Sequence, residues 1–206
     1  MSADPAVIKP FKEPRPAKEQ RDELRRDQIV VAAQRCVVRH GFHASSMAQI
    51  AASAQMSVGQ IYRYFPSKEA IVHAIVERIV DKRLGWIDSG DGKSDVAIRA
   101  AARMLSDEAE EQDDKILLLE ATAEASRNPA VAAILRAAHA RLRAKAVAAV
   151  RQYQPSLSEH EATLRVEMMA VLSEGTAFRQ VTEPLADQQA LHGLYREVIE
   201  QLLVDG

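Results

Sequence analysis

The chain has 206 residues, with 27 Lys and Arg against 29 Asp and Glu and a net charge of −2. That length suits one large or two small domains, and a hydrophobic content of 47% is enough for a sizeable core. A single cysteine excludes a disulfide framework within one chain, and no apolar run approaches the roughly 20 residues that a membrane span needs.

The N-terminus lacks the apolar stretch of a secretory signal, so a cytoplasmic location is expected, with no membrane partner. Aromatic residues are only 4%, so the core should be aliphatic and interhelical. Val and Ile recur at helical rather than alternating spacing, which predicts an all-α fold. Charge is divided unevenly. Residues 1–68 hold 11 Lys and Arg against 6 Asp and Glu, and the remainder holds 16 against 23. A basic head on an acidic body suits a protein that meets a polyanion at one end.

Residues 1–18 carry Pro5, Pro10, Pro14 and Pro16 among charges and read as a disordered arm, either solvated or reaching the polyanion through Lys9, Lys12, Arg15 and Lys18. A first helix is expected over 19–40, with Gly41 as its left-handed cap and Phe42 folding back on Val37. Cys36 falls on its apolar face and reads as a buried structural thiol. The segment 41–68, GFHASSMAQIAASAQMSVGQIYRYFPSK, reads as two short helices and a turn. Ser46 with Gln49, and Ser57 with Gln60, have the spacing of capping boxes. Met47, Ile50 and Ala51 share one face, as do Val58, Ile61 and Phe65. Helices of about two turns cannot stand alone and must pack together, which is the shape of a helix-turn-helix reader.

Pro66 breaks the chain, and Ser67 caps a long helix to about Trp86. Its two stripes, Ile71–Ile75–Ile79 and Val72–Val76–Val80, predict contact with the head on one side and the body on the other. Residues 88–94, DSGDGKS, read as a turn without phosphate-loop spacing. Further helices are expected over 95–111, 113–127, 129–153, 159–182 and 187–204, with Asn128-Pro129 and Ser158-Glu161 as helix starts and Pro184 between the last two.

The signature GFHASSMAQIAASA followed by SVGQIYRYFPSKEAI resembles the N-terminal region of TetR-family transcriptional regulators, over about Ile29 to Val80. The turn departs from that pattern in having Gln55 where Gly is common; a left-handed Gln there costs up to about 1–2 kcal/mol. The resemblance implies a nine-helix TetR-like fold. Its parts would be the arm 1–18, a three-helix DNA-binding head over 19–66, and a six-helix ligand-binding and dimerisation body over 67–206.

The leading turn of the second short helix, Ser57, Val58, Gly59 and Gln60, is placed to meet base edges. Arg63 and Tyr64 flank its buried stripe, and His43, Ser45 and Ser46 are further backbone contacts. The resemblance places Tyr62 and Lys68 on phosphates. Wide apolar faces on the last two helices carry Met168, Val171, Leu172, Gly175, Leu191, Leu194, Tyr195, Val198 and Leu202. In the resembled family such helices form a four-helix homodimer interface, which implies an inverted-repeat operator in double-stranded DNA.

The family also keeps a pocket for a small-molecule inducer, whose identity the sequence does not name. Its candidate lining is Trp86, Met104, Leu118, Glu120, Glu124, His139 and Phe178. Glu120 and Glu124 lie four apart on one face, which suits either a solvated, Arg-paired stripe or a cationic ligand. No metal-ligand spacing and no cofactor motif are present. The expectation is therefore a ligand-responsive repressor. A regulator without an inducer, partner-controlled or architectural, is the alternative; an all-helical enzyme lacks any nucleophile–base pair.

Overall fold

The computed structural model describes residues 18–88, 93–182 and 187–204. Among these residues there are nine helices and no strands: α1 (Lys18–Ala44), α2 (Met47–Ser53), α3 (Val58–Tyr64), α4 (Lys68–Asp88), α5 (Lys93–Leu105), α6 (Ala109–Ala125), α7 (Pro129–Tyr153), α8 (Glu159–Thr182) and α9 (Gln188–Val204). The expected arm, apart from Lys18, lies outside the described residues, as do the middle of the 88–94 turn and the break at Pro184. No described helix is long and apolar enough to cross a membrane.

Local chemistry accounts for most helix ends. Ser46 and Ser57 each accept from the amide three residues on at 3.2 Å, and Gln49 and Gln60 reach back to the cap amides. Asn128 caps α7 through the amides of Ala130 and Val131, with Pro129 in the first turn, where its missing N–H is harmless. The division between α5 and α6 lies at residues 106–108, earlier than the expected 112. A tertiary contact explains the difference. The Ser106 carbonyl accepts from Gln112 Nε2 and Lys115 Nζ, both at 2.8 Å, so α6 side chains hold the chain reversal.

Two cores form. The first runs from Ile29, Ala33 and Val37 of α1 through Ile50 and Ile61 to both stripes of α4, then to Leu117 of α6 and Val131 and Leu135 of α7. Its continuity matters, because the helix-turn-helix shares one packed interior with α4, α6 and α7. The second joins Ala101 and Met104 of α5 to Val150 of α7, Ala162 and Val166 of α8, and Ile199 and Leu203 of α9. Trp86, near the end of α4, packs against this second core.

Candidate nucleic-acid interface

The helix-turn-helix is pinned from behind by α1. Gln28 Nε2 donates to the Ala54 carbonyl at 2.7 Å, in the turn between α2 and α3. Arg26 donates to the Tyr64 carbonyl at 2.8 Å and lies 4.5 Å above the Phe65 ring. The Tyr64 hydroxyl donates to Asp22 at 3.2 Å. These contacts span 26 to 42 residues, so no local pattern announces Asp22, Arg26 or Gln28 as clamps. Gln55 sits in the turn at φ 55, the one non-glycine with positive φ among the described residues.

With Ile61 and Phe65 buried, α3 turns Ser57, Val58, Gly59, Gln60, Tyr62 and Arg63 to solvent. Tyr62 is 51% exposed. A side chain added at Gly59 would meet no atom within 4 Å, so that backbone is open to close approach. His43 and Ser46 are also exposed. Gln60 has two tasks, since its Oε1 accepts from the Ser57 amide at 2.8 Å and only its amide nitrogen is left to face outward.

Three expected DNA contacts are placed elsewhere. Ser45 is fully buried and its hydroxyl donates to the Gly41 carbonyl at 2.8 Å. Tyr64 is half-buried and tied to α1 as described. Lys68 turns inward: its Nζ donates to the Phe42 carbonyl and, at 3.3 Å, to the His43 carbonyl, and lies 4.2 Å above the Phe42 ring. Carbonyls at a helix C-terminus lack helical partners and carry partial negative charge, so an ammonium is drawn to them. Burial lowers the Lys68 pKa, opposed by the nearby Glu124 and Glu69.

The end of α1 differs from the expected cap. Gly41 has positive φ, but at φ 77 and ψ 163 it is far from the left-handed helical well. Helical geometry breaks there and resumes to Ala44. The Phe42 amide donates to Glu120 Oε2 of α6 at 2.8 Å instead of to a carbonyl of its own helix. Glu120 and Lys68 thus hold the amide and the carbonyl of one residue, Phe42, at the junction of head and body.

The expected ligand-lining residues do not converge. Trp86 and Met104 meet at the second core. Leu118 is half-buried against the first. Glu120 is engaged with Phe42, and Glu124 pairs with Arg127 at 3.1 Å. His139 is exposed on α7, and Phe178 is 57% exposed on α8. Phe178 instead continues an apolar stripe with Met168, Val171 and the position of Gly175, at successive steps of three or four residues. On α9, Leu194 and Val198 are exposed. Leu172 and Tyr195 face inward to the second core, and Tyr195 shares a 2.7 Å hydrogen bond with Thr176. Leu191 and Leu202 are half-buried.

Residues 29–75 match the family model described as bacterial regulatory proteins, tetR family. The chain is 32% identical over 114 residues to the HTH-type transcriptional regulator UidR of Escherichia coli K12, covering 55% of this chain. The matched stretch spans 58% of UidR's own length. Among solved structures, Salmonella enterica GusR is similar with a TM-score of 0.67 at 27% identity, over 87% of this chain and 95% of that one. A TetR-family regulator from Rhodococcus sp. shares the fold with a TM-score of 0.72 at 20% identity, over 87% of this chain and 99% of that one.

Proposed function

Because the chain belongs to the TetR family of bacterial regulatory proteins, a family of transcriptional regulators and not of enzymes, we propose that it is a ligand-responsive repressor acting as a dimer on an inverted-repeat operator. The observation that carries the DNA-binding part is the division of α3. Ile61 is buried with Phe65 just beyond the helix, while Val58, Gly59, Gln60, Tyr62 and Arg63 are turned outward on an anchored helix. Such a helix enters the major groove by its N-terminal turn, with basic and hydroxyl groups on flanking phosphates.

The exposed apolar stripes support dimerisation. Leu164, Met168, Val171, Phe178 and Val181 on α8 are 49–60% exposed, beside Leu194 and Val198 on α9. Single chains seldom leave a contiguous apolar face of this extent in water. A two-fold axis through these helices would pair each stripe with its own copy and set two heads on one duplex.

Coupling from body to head has a physical route through Phe42. Glu120 of α6 and Lys68 of α4 grip its amide and carbonyl, so a shift of α6 against α4 is felt where α1 leads into the reader. A ligand that favours one arrangement of these helices changes operator affinity by its differential affinity, and DNA changes ligand affinity by the same factor.

The deciding experiment combines sedimentation with operator binding over a salt series. The expected result is a dimer at micromolar concentration whose affinity for an inverted repeat falls steeply with salt as counterions are released. A stable monomer, or affinity independent of salt, would contradict the reading.

A further inference from the structure

Between α4, α5, α6 and α8 lies a cluster of charges that the DNA-facing head does not use. Lys82 and Arg83 come from α4, Arg103 from α5, Glu111, Asp114 and Lys115 from α6, and Glu174 and Gln180 from α8. Lys82 takes up most of the acid. Its Nζ is 2.8 Å from Glu111, 3.1 Å from Asp114 and 3.1 Å from the exposed Glu110. Lys115, itself buried, donates to the Ser106 carbonyl at 2.8 Å and to Gln180 Oε1 at 2.6 Å.

The guanidinium groups are left poorly served. Arg103 approaches Glu111 no closer than 3.8 Å, beyond hydrogen-bond reach, and its buried Nε has no partner. Arg83 has no hydrogen-bond or ion-pair partner among the described residues; the Arg103 charge repels it, while Asp114, Glu111 and Glu174 attract it. Burial, with that repulsion, draws the Arg83 pKa down to about 10. The buried Gln180 Nε2 is also without a partner. Its orientation is fixed, because Lys115 can only be met by the amide oxygen. The two buried side-chain atoms left without a partner, Arg103 Nε and Gln180 Nε2, are both donors. Beside it the Trp86 ring is half-buried, with the Arg99 and Arg103 guanidiniums at 5.1 and 5.7 Å from its centre.

A buried guanidinium N–H without an acceptor is unfavourable, and an anion beside Arg103 and Arg83 would supply one. Arg is also suited to forked hydrogen bonding of carboxylate or phosphate oxygens. We propose that the effector of this regulator bears an oxyanion group that docks between Arg83 and Arg103, with Gln180 Nε2 as a further donor and Trp86 as the wall for its apolar part. This rests on the ligand-responsive reading above and replaces the cationic ligand that Glu120 and Glu124 suggested. Those carboxylates are engaged with Phe42 and Arg127.

The test uses the full chain with 2-naphthoate, the neutral 2-naphthamide of the same shape, and inorganic phosphate or acetate as competitors at matched ionic strength. Trp86 is the only tryptophan, so its fluorescence reads the site directly. Naphthoate should shift that signal saturably and bind at least about tenfold tighter than naphthamide, as charge-assisted hydrogen bonds require. Competition by phosphate below acetate would mark a phosphate group, and the reverse a carboxylate. Arg83→Met and Arg103→Met should each weaken naphthoate binding by about tenfold or more. Each should also raise the unfolding midpoint of the unliganded protein, because a poorly paired buried charge is removed. Equal binding of naphthoate and naphthamide, no binding of either anion, or a lowered midpoint in both Met variants overturns the anion site. Operator affinity in the same titrations separates the two proposals. Naphthoate that binds through both arginines without changing operator affinity refutes the ligand-responsive reading alone. Operator release by neutral compounds, unaffected by the Met substitutions, refutes the anion site alone.

Discussion

Gly41→Ala is the substitution that most directly probes the junction between the reader and the rest of the molecule. At φ 77 and ψ 163 the backbone lies in a region that is essentially restricted to glycine, and a side chain there costs about 1–3 kcal/mol. An added Cβ would stand 3.1 Å from Glu120 Oε2 and 3.6 Å from its Cδ. The carboxylate would have to withdraw, straining the 2.8 Å hydrogen bond from the Phe42 amide. Hydrogen bonds to charged groups contribute about 1.5–3 kcal/mol, and a partly exposed one at the lower end. Against this, alanine restricts the unfolded chain and recovers about 0.4–1 kcal/mol. The net loss is about 2–3 kcal/mol, read from urea melts followed by circular dichroism at one fixed protomer concentration, since association shifts apparent stability. The two contributions separate in a cycle with Glu120→Ala. There the crowding is gone and only backbone strain remains, so Gly41→Ala should cost about 1 kcal/mol less than in the wild-type background. A loss below about 0.5 kcal/mol in both backgrounds would mean that Gly41 is not held in this conformation, and the reasoning would be wrong.

Gln55→Gly relieves a left-handed residue at φ 55, and after the added freedom of glycine in the unfolded chain it should stabilise by about 0.5 kcal/mol; a lower melting midpoint would refute the strain. The Glu69 pKa is held below its ordinary 4.5 chiefly by the backbone amide at the start of α4, then by Ser67, against burial and with help from Asn128 and Lys68. Its stabilising effect is present above the unfolded pKa and is lost as pH falls through the folded one, so Glu69→Gln should lose less stability than wild type on acidification from about pH 5 to 3. Gln60→Ala should weaken preference at particular base pairs by about 0.5–1.5 kcal/mol, the value of one hydrogen bond from its free amide nitrogen, and also loosen the start of α3, because Gln60 serves the Ser57 cap; unchanged base preference in a binding-site selection would remove it as a reader. Charging Leu194 and Val198 to Asp should give monomer in sedimentation and weaken operator binding, while an intact dimer would move the interface elsewhere.

What the sequence by itself determined is the part of this protein written in short spacings. Both capping boxes, the Asn128-Pro129 start, the double stripe of α4 and the limits of α7 and α8 are all legible, because a cap acts over three residues and a helical face repeats every three or four. At Gln55 the sequence shows only that a common glycine is missing, which leaves open a differently shaped turn or a strained one; the φ of 55 decides for the strained one. The same locality limited the candidate site. Exposure of Gln60 and Tyr62 follows from the helix itself, whereas Val58 is exposed although it shares the spacing of Ile61 and Phe65, and Ser45 is buried and Lys68 is turned inward by neighbours that only packing supplies. Phe178 and His139 are on outward faces because α8 and α7 are rotated by their contacts with other helices, and rotation about a helix axis is not encoded by the apolar pattern when two faces are apolar. Tertiary structure alone decided that the Phe42 amide meets Glu120 across 78 residues and that Lys115 orients Gln180 across 65. A buried polar group must find a partner wherever the fold brings one, and which partner that is depends on the whole packing and not on the neighbouring sequence.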